Sequence, residues 1–410
     1  MTTTDHNPDR LQLSRTEFVA LMAMLMATVA FSIDAMLPAL DDIADQLSPN
    51  DPNHAQLIVT SFVLGMGLGT LFVGPLSDTY GRRPLIGIGA LIYCAGALLA
   101  WHAHSLETLL AARVVQGIGA AGARVIALAI IRDLFSGRAM AQLVSFVIVV
   151  FTLVPVIAPT LGAGLIALFG WRGIFPAFVV FSMIATAWLY LRQPETLAPE
   201  NRRPLSISAL LGALHEIITH PVVRICVLIH VLCFGILFAV LSSTQMVFDI
   251  TFGLEDSFHL WFGGIALTAL TGGMLNAAVV VRLGMRRVVT LTIIFEIIIG
   301  TIYLAGHFLG IWSGSMAFVA YLIWVTSVFW MAGLTLGNLN ALAMEPMGHI
   351  AGMAATVISA MGTVGAVIIA IPLGQLFDGT PVPIAIGVWF CAVLAFFLVR
   401  QIPDREATEA

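Results

Sequence analysis

Lysine is absent from this 410-residue chain, so all 18 basic residues are arginine. Charged residues of either sign make up only 10% of the sequence, against about a quarter in a soluble globular domain. With 59% apolar residues and a mean hydropathy of +0.99, this scarcity of charge excludes water as the main solvent of the chain. The missing lysine itself reflects composition and not mechanism. A net charge of −5 with no basic stripe leaves nucleic acid no footprint. Cysteine is scarce as well: Cys94, Cys226, Cys233 and Cys391 lie within apolar runs, without metal spacing or a disulfide framework, and read as buried thiols. No metal-ligand cluster, nucleophile elbow or phosphate-binding loop appears, which argues against an enzyme, a metal site, a cofactor and ATP-driven transport.

What the chain does have is long apolar runs. A bilayer core about 30 Å thick needs about 20 such residues per helix. The hydropathy pattern predicts spans near 18–40, 55–77, 84–101, 107–131, 140–168 and 172–191, then 222–247, 258–282, 287–306, 311–340, 350–376 and 381–400. Gly65, Gly67, Gly69, Pro155, Pro159 and Pro372 fall inside these runs, as membrane helices tolerate. The first run is too long for a signal-peptide core and holds an acid, so it reads as a retained helix. The expected fold is all-α: twelve transmembrane helices in two pseudo-symmetric six-helix bundles. The N-terminal bundle covers 1–191 and the C-terminal bundle 222–410. The polar segment 192–221 between them is the linker, whose second part predicts an interfacial helix with Leu210, Leu211, Leu214 and Ile217 on one face. The halves echo each other, with Gly81-Arg82-Arg83 after the second span and Gly284-Met285-Arg286-Arg287 after the eighth.

Orientation follows from arginine. One set of loops collects Arg10, Arg15, Arg82, Arg83, Arg132, Arg138, Arg192, Arg202, Arg203, Arg282, Arg286, Arg287, Arg400 and Arg405, with Arg224 at the start of the seventh span. The other set is acidic and keeps only Arg172. The positive-inside rule puts both termini in the cytoplasm of a bacterial inner membrane.

Gly74-Pro75-Leu76-Ser77-Asp78-Thr79-Tyr80-Gly81-Arg82-Arg83-Pro84 resembles the signature loop of the major facilitator superfamily. Arg113-Val114-Val115-Gln116-Gly117-Ile118-Gly119-Ala120-Ala121 resembles the fourth-helix motif of its drug:proton antiporter branch. The run from Asp34 to Leu47, together with Trp171-Arg172-Gly173-Ile174-Phe175 and Pro194-Glu195-Thr196-Leu197, is similar to the Bcr/CflA-type multidrug resistance exporters. The fifth helix departs from the antiporter pattern. It reads Ala158-Pro159-Thr160-Leu161-Gly162-Ala163-Gly164, where the branch has a glycine-proline pair followed by paired glycines. Its small residues still permit close helix packing.

An ionised side chain inside a span costs about 2.5–3.5 kcal/mol on insertion scales, so each one needs a reason. Asp34 in the first span and Arg113 in the fourth are expected at comparable depth. Pairing favours the charged carboxylate and desolvation the neutral acid, so a carboxyl held between them answers to small changes in hydration or to a bound substrate. The resemblance implicates this acid and this arginine in proton coupling and substrate binding; a static packing pair is the alternative. Arg124 follows Arg113 by three turns and lies within about 20° of the same face, which is therefore expected to line a cavity. There Arg124 binds an anionic or carbonyl-bearing group, or pairs with an acid near the inner end. Gln116 shares the Arg113 face. Gln245, Asn338 and the Phe31 ring complete the expected lining, while Glu296 and His230 read as packing residues. The resemblance assigns Asp78, Arg82 and Arg83 to gating, with Asp78 facing the start of the eleventh helix and Arg82 paired with Asp133.

These features imply a proton-coupled secondary transporter that exports small amphipathic organic molecules, drugs or antibiotics, by alternating access. A narrow metabolite exporter or an uptake symporter of the same fold is the alternative. The expected partners are a small-molecule substrate, protons and the lipid bilayer; the protein is expected to act as a monomer, with the proton gradient as energy source.

Overall fold

The structure, a computed structural model, describes residues 13–403; Arg10 and Arg405 lie outside the described residues. Twelve membrane-spanning helices follow one another: α1 (Arg15–Asp34), α2 (Leu57–Tyr80), α3 (Arg82–Trp101), α4 (Leu106–Leu134), α5 in two pieces (Gly137–Thr152 and Val154–Phe169) and α6 (Ile174–Arg192). After the linker come α7 (Pro221–Met246), α8 (Phe258–Leu283), α9 (Met285–Phe308), α10 (Ser315–Met344), α11 (Ala351–Gln375) and α12 (Val382–Val399). No strand occurs among the described residues. In lipid a backbone without water must satisfy its polar groups within the segment, and these apolar runs do so as helices. Polar side chains mark where helices begin: Ser14 caps α1, and Ser105 with Thr108 forms a capping box at α4.

Two spans expected to be continuous are broken. The first helix stops at Asp34, and the chain passes through a 3-10 turn, Leu37–Ala39, that contains Pro38. It resumes as a short helix, Leu40–Leu47. The fifth breaks at Leu153 because Pro155 has no N–H for the Phe151 carbonyl and disfavours helical geometry just before it. The linker holds a helix, Ile207–Thr219, whose inward face is Leu210, Ala213, Leu214 and Ile217, packed toward α7 and α11. Leu211 points away and is exposed, which corrects its place on that face.

The two halves repeat a turn that only glycine accommodates. Gly81 (φ 105°) ends α2 and starts α3, and Gly284 (φ 79°) does the same between α8 and α9. Within the first half α4 is packed against both α2 and α3, with glycines at the crossings. Between the halves, α2 packs on α11 and the second piece of α5 on α8.

The halves meet most fully on the face opposite the termini. There Asn53 donates to the carbonyls of Phe377 (2.7 Å) and Gln375 (3.3 Å), and Gln375 Nε2 returns a bond to the Asn53 carbonyl (2.9 Å). Gln245 Nε2 donates to Asp41 Oδ2 at 2.7 Å, and Gln56 Nε2 to Met246 Sδ at 3.3 Å. Toward the termini α5 and α8 part, while α2 stays against α11 as far as Gly74 and Thr356. The first piece of α5 buries only Leu143 and Val147 among its described side chains, and α8, buried through Phe258, Phe262, Gly263, Ile265, Ala266 and Gly272, buries no residue between Gly272 and its end at Leu283. The seam is therefore closed on the face opposite the termini, and on the termini face a cleft opens only between α5 and α8.

Candidate functional site

Arg113 is fully buried, and its charge is spread over dipoles. Its Nη2 donates to the Ser32 carbonyl (2.9 Å), Nη1 to Gln116 Oε1 (2.6 Å) and Nε to the Ile58 carbonyl (3.3 Å). The guanidinium carbon also lies 4.4 Å from the centroid of the Phe62 ring. The Ser32 carbonyl is free to accept because α1 ends two residues later: the Met36 amide turns to Ile33 instead. Arg113 thus caps the negative end of α1, where the helix dipole favours a cation. Around it runs a buried polar chain in which Ser32 Oγ meets Tyr93 Oη at 2.6 Å and donates to the Thr28 carbonyl at 2.6 Å. Gln116 Nε2 is left without a partner.

Asp34 sits at the break that Arg113 caps, 5% exposed, with no hydrogen-bond or ion-pair partner among the described residues. The expected ion pair with Arg113 is not formed. Three acceptors already hold the guanidinium, and Asp34 lies beyond the carbonyl that orients it.

Arg124 lies farther along α4 toward the termini face, part-buried, without a hydrogen-bond or ion-pair partner among the described residues. No acid pairs with it among the described residues. Its charge reaches His230 of α7, so it stands where the two halves face each other. His230 lies edge-on to Phe234 at 5.6 Å and against Gly362 of α11, with Nδ1 buried and unpartnered.

Three expected lining residues are engaged elsewhere. Phe31 packs on Phe178 and Phe181 of α6 at 5.3 and 5.1 Å, in the aromatic core of the first half and not in the cleft. Asn338 donates to Asn276 Oδ1 (2.7 Å) and to the Leu334 carbonyl (2.8 Å), clasping α10 to α8. Gln245 belongs to the closed seam through its bond to Asp41. Glu296 is buried within the second half beside Ser327 of α10.

On the termini face, Arg82 joins α3 to α4 and α2. Its Nε and Nη2 reach Asp133 (2.9 and 3.3 Å), and Nη1 reaches Asp78 Oδ1 (2.6 Å) and Ser77 Oγ (2.8 Å). Asp78 has no side-chain partner from α11 among the described residues; its backbone carbonyl instead accepts from Arg203 of the linker. Arg83 bonds the Tyr190 carbonyl (2.8 Å) and lies over the Tyr190 ring. Sequence reasoning assigned no role to Glu195, yet it organises this corner. Its oxygens accept from the amides of Arg82 and Arg83, and from those of Thr196 and Leu197, all at 3.0 Å. That carboxylate closes the N-terminus of α3 from a distant loop, and its place in the Pro194-Glu195-Thr196-Leu197 run is the sequence signal that points to it.

Two six-helix halves joined through α2 on α11 and α5 on α8 define a polytopic membrane protein built from two repeats, as many secondary transporters are. The sequence profile of the Major Facilitator Superfamily matches residues 19–372, and the chain belongs to that superfamily. It is 28% identical over 393 residues to a bicyclomycin resistance protein homolog of Haemophilus influenzae, covering 95% of this chain and 96% of that one. It is 27% identical to multidrug resistance protein D of Escherichia coli, over 87% and 89% of the two chains. Among solved structures, a D-xylose-proton symporter shares the fold, with a TM-score of 0.75 at 15% identity over 95% of this chain and 98% of that one.

Proposed function

We propose that the chain exports small amphipathic organic molecules, drugs among them, in exchange for protons. The observation that carries the proposal is Asp34, a buried carboxyl with no partner, at the helix break whose freed carbonyl anchors Arg113. With no cation to hold it ionised, its charge state answers to the hydration and occupancy of the space beside it. The drug-resistance names of the relatives support the substrate class. Arginine-rich loops on the termini face support a cytoplasmic location for both termini. The conformation described here is then closed to the outside, with α5 and α8 apart on the cytoplasmic side. Arg124, the unpaired cation of the cleft, contacts the substrate, and the Arg82–Asp133–Asp78 cluster stiffens the cytoplasmic ends of α2, α3 and α4 as the halves rock. The electrical gradient contributes about 2.3 kcal/mol per charge per 100 mV to that cycle.

The test is proton release on adding substrate to purified wild type and Asp34→Asn in detergent, across a panel of antibiotics that includes bicyclomycin. Release in wild type that vanishes in the variant is the expected outcome. Unchanged proton movement in Asp34→Asn would make this residue structural and sink the proposal as stated. Flux in everted vesicles separates export from uptake.

A further inference from the structure

The closed seam on the face opposite the termini is built from acids. Asp41, on the short helix after α1, projects into the second half and accepts from Gln245 Nε2 of α7 at 2.7 Å. Three more carboxylates act on it electrostatically: Asp45 from its own helix, Asp249 from the end of α7, and Glu255 from the loop before α8. Asp42 adds to the charge on Glu255. No basic group is among those acting on Asp41. Arg172, the arginine of this face, is turned to Gln46 (3.0 Å) and the Ala103 carbonyl (3.2 Å), and His54 lies 3.3 Å from Asp51. Closing the seam therefore brings Asp41 and Asp45 of the first half against Asp249 and Glu255 of the second with no countercharge. Like charges pushed together in a poorly solvated interface resist closure.

Gln245 supplies an independent clue. It is 1% exposed, and while its Nε2 is bonded to Asp41, its Oε1 is buried with no donor. An orphaned buried acceptor forfeits its hydration without a replacement bond. A carboxylate cannot satisfy it, because it only accepts; a protonated carboxyl can, because it carries one O–H donor. A proton on Asp41 would thus complete a two-bond ring with the Gln245 amide and remove one of the facing charges in the same step.

We propose that the Asp41–Gln245 contact is a proton-binding site, separate from Asp34, whose occupation from the outer solution permits the outer seam to close. Each closure then takes up a proton at Asp41, and reopening returns it to the same side. The site governs the timing of closure, and no proton crosses the membrane through it. Its link to transport rests on the proton-coupled reading above, but its chemistry is testable without any substrate.

The experiment places spin labels at Asn50→Cys and Ser313→Cys, exposed positions on either side of this face, in a cysteine-depleted background. The distance between them is followed in lipid nanodiscs from pH 5 to 9 with no drug present. Wild type is expected to be closed at low pH and to open as pH rises. Asp41→Asn, which carries the N–H donor and no charge, should reduce the open fraction at pH 8.5 at least fivefold. Gln245→Glu, which adds a fifth acid, should move opening to lower pH by a unit or more. The Asp34→Asn protein should retain the wild-type response even if its proton exchange with drugs is lost, which keeps this proposal distinct from the preceding one. A pH-independent distance in wild type, or an unchanged profile in both Asp41→Asn and Gln245→Glu, overturns the proposal.

Discussion

Adding one methyl group at Gly162 tests how α5 holds the end of α1. An ideal Cβ built on Gly162 falls 2.2 Å from the Ala35 carbonyl oxygen, 2.9 Å from its carbon and 3.0 Å from its Cα. Ordinary contact begins near 3.4 Å, and every atom met is backbone, so no flexible side chain can give way. Helix α5 must retreat by about 1 Å, or the turn beside Asp34 must shift, since repulsion at such separations is steep. Overpacking of this kind costs about 1–3 kcal/mol, equivalent to about 5- to 150-fold in an equilibrium constant. Gly162→Ala should lower thermal stability in detergent measurably, and it should depress drug-driven proton exchange further because Ala35 adjoins Asp34. Gly164, two residues on in the same helix, meets nothing within 4 Å. Gly164→Ala is the internal control, expected to match wild type or gain slightly from reduced chain entropy. Equal behaviour of the two variants, whether both harmless or both damaging, would refute the close-approach reasoning and leave glycine's role in this helix to something other than contact with α1.

Two further substitutions probe the packing around the site. Arg113→Lys keeps the charge but replaces a fork that meets three acceptors with a point donor. Losing one or two charge-assisted bonds at about 1.5–3 kcal/mol each should reduce folded yield and melting temperature sharply, even though charge is conserved; a fully stable Arg113→Lys protein would contradict the capping role. Glu195→Ala removes the acceptor of four amides around the start of α3, and about 1–2 kcal/mol of stability should go with it. Glu195→Gln should recover much of that loss, measured by thermal melting in the same detergent.

Much of this molecule is legible without a structure. Span number and helical class follow from run length and composition, which are local properties of the chain, because lipid leaves an isolated apolar segment little choice but helix. The duplicated Gly81 and Gly284 turns are equally local, since positive φ there selects glycine. The charged and polar side chains are another matter. Asp34 and Arg113 are recognisable as residues needing a reason, but whether they pair depends on which carbonyl the end of α1 sets free, and that is decided where the helix breaks ahead of Pro38. Asn338 finds Asn276 on α8, Phe31 finds the rings of α6, and Gln245 finds Asp41 in the other half, each across a large sequence separation. A polar group in an apolar span advertises only that it must be satisfied. Its partner is chosen by the packing of helices in three dimensions, and so the tertiary structure alone separates the clasps and caps from Asp34 and Arg124, which it leaves without partners among the described residues.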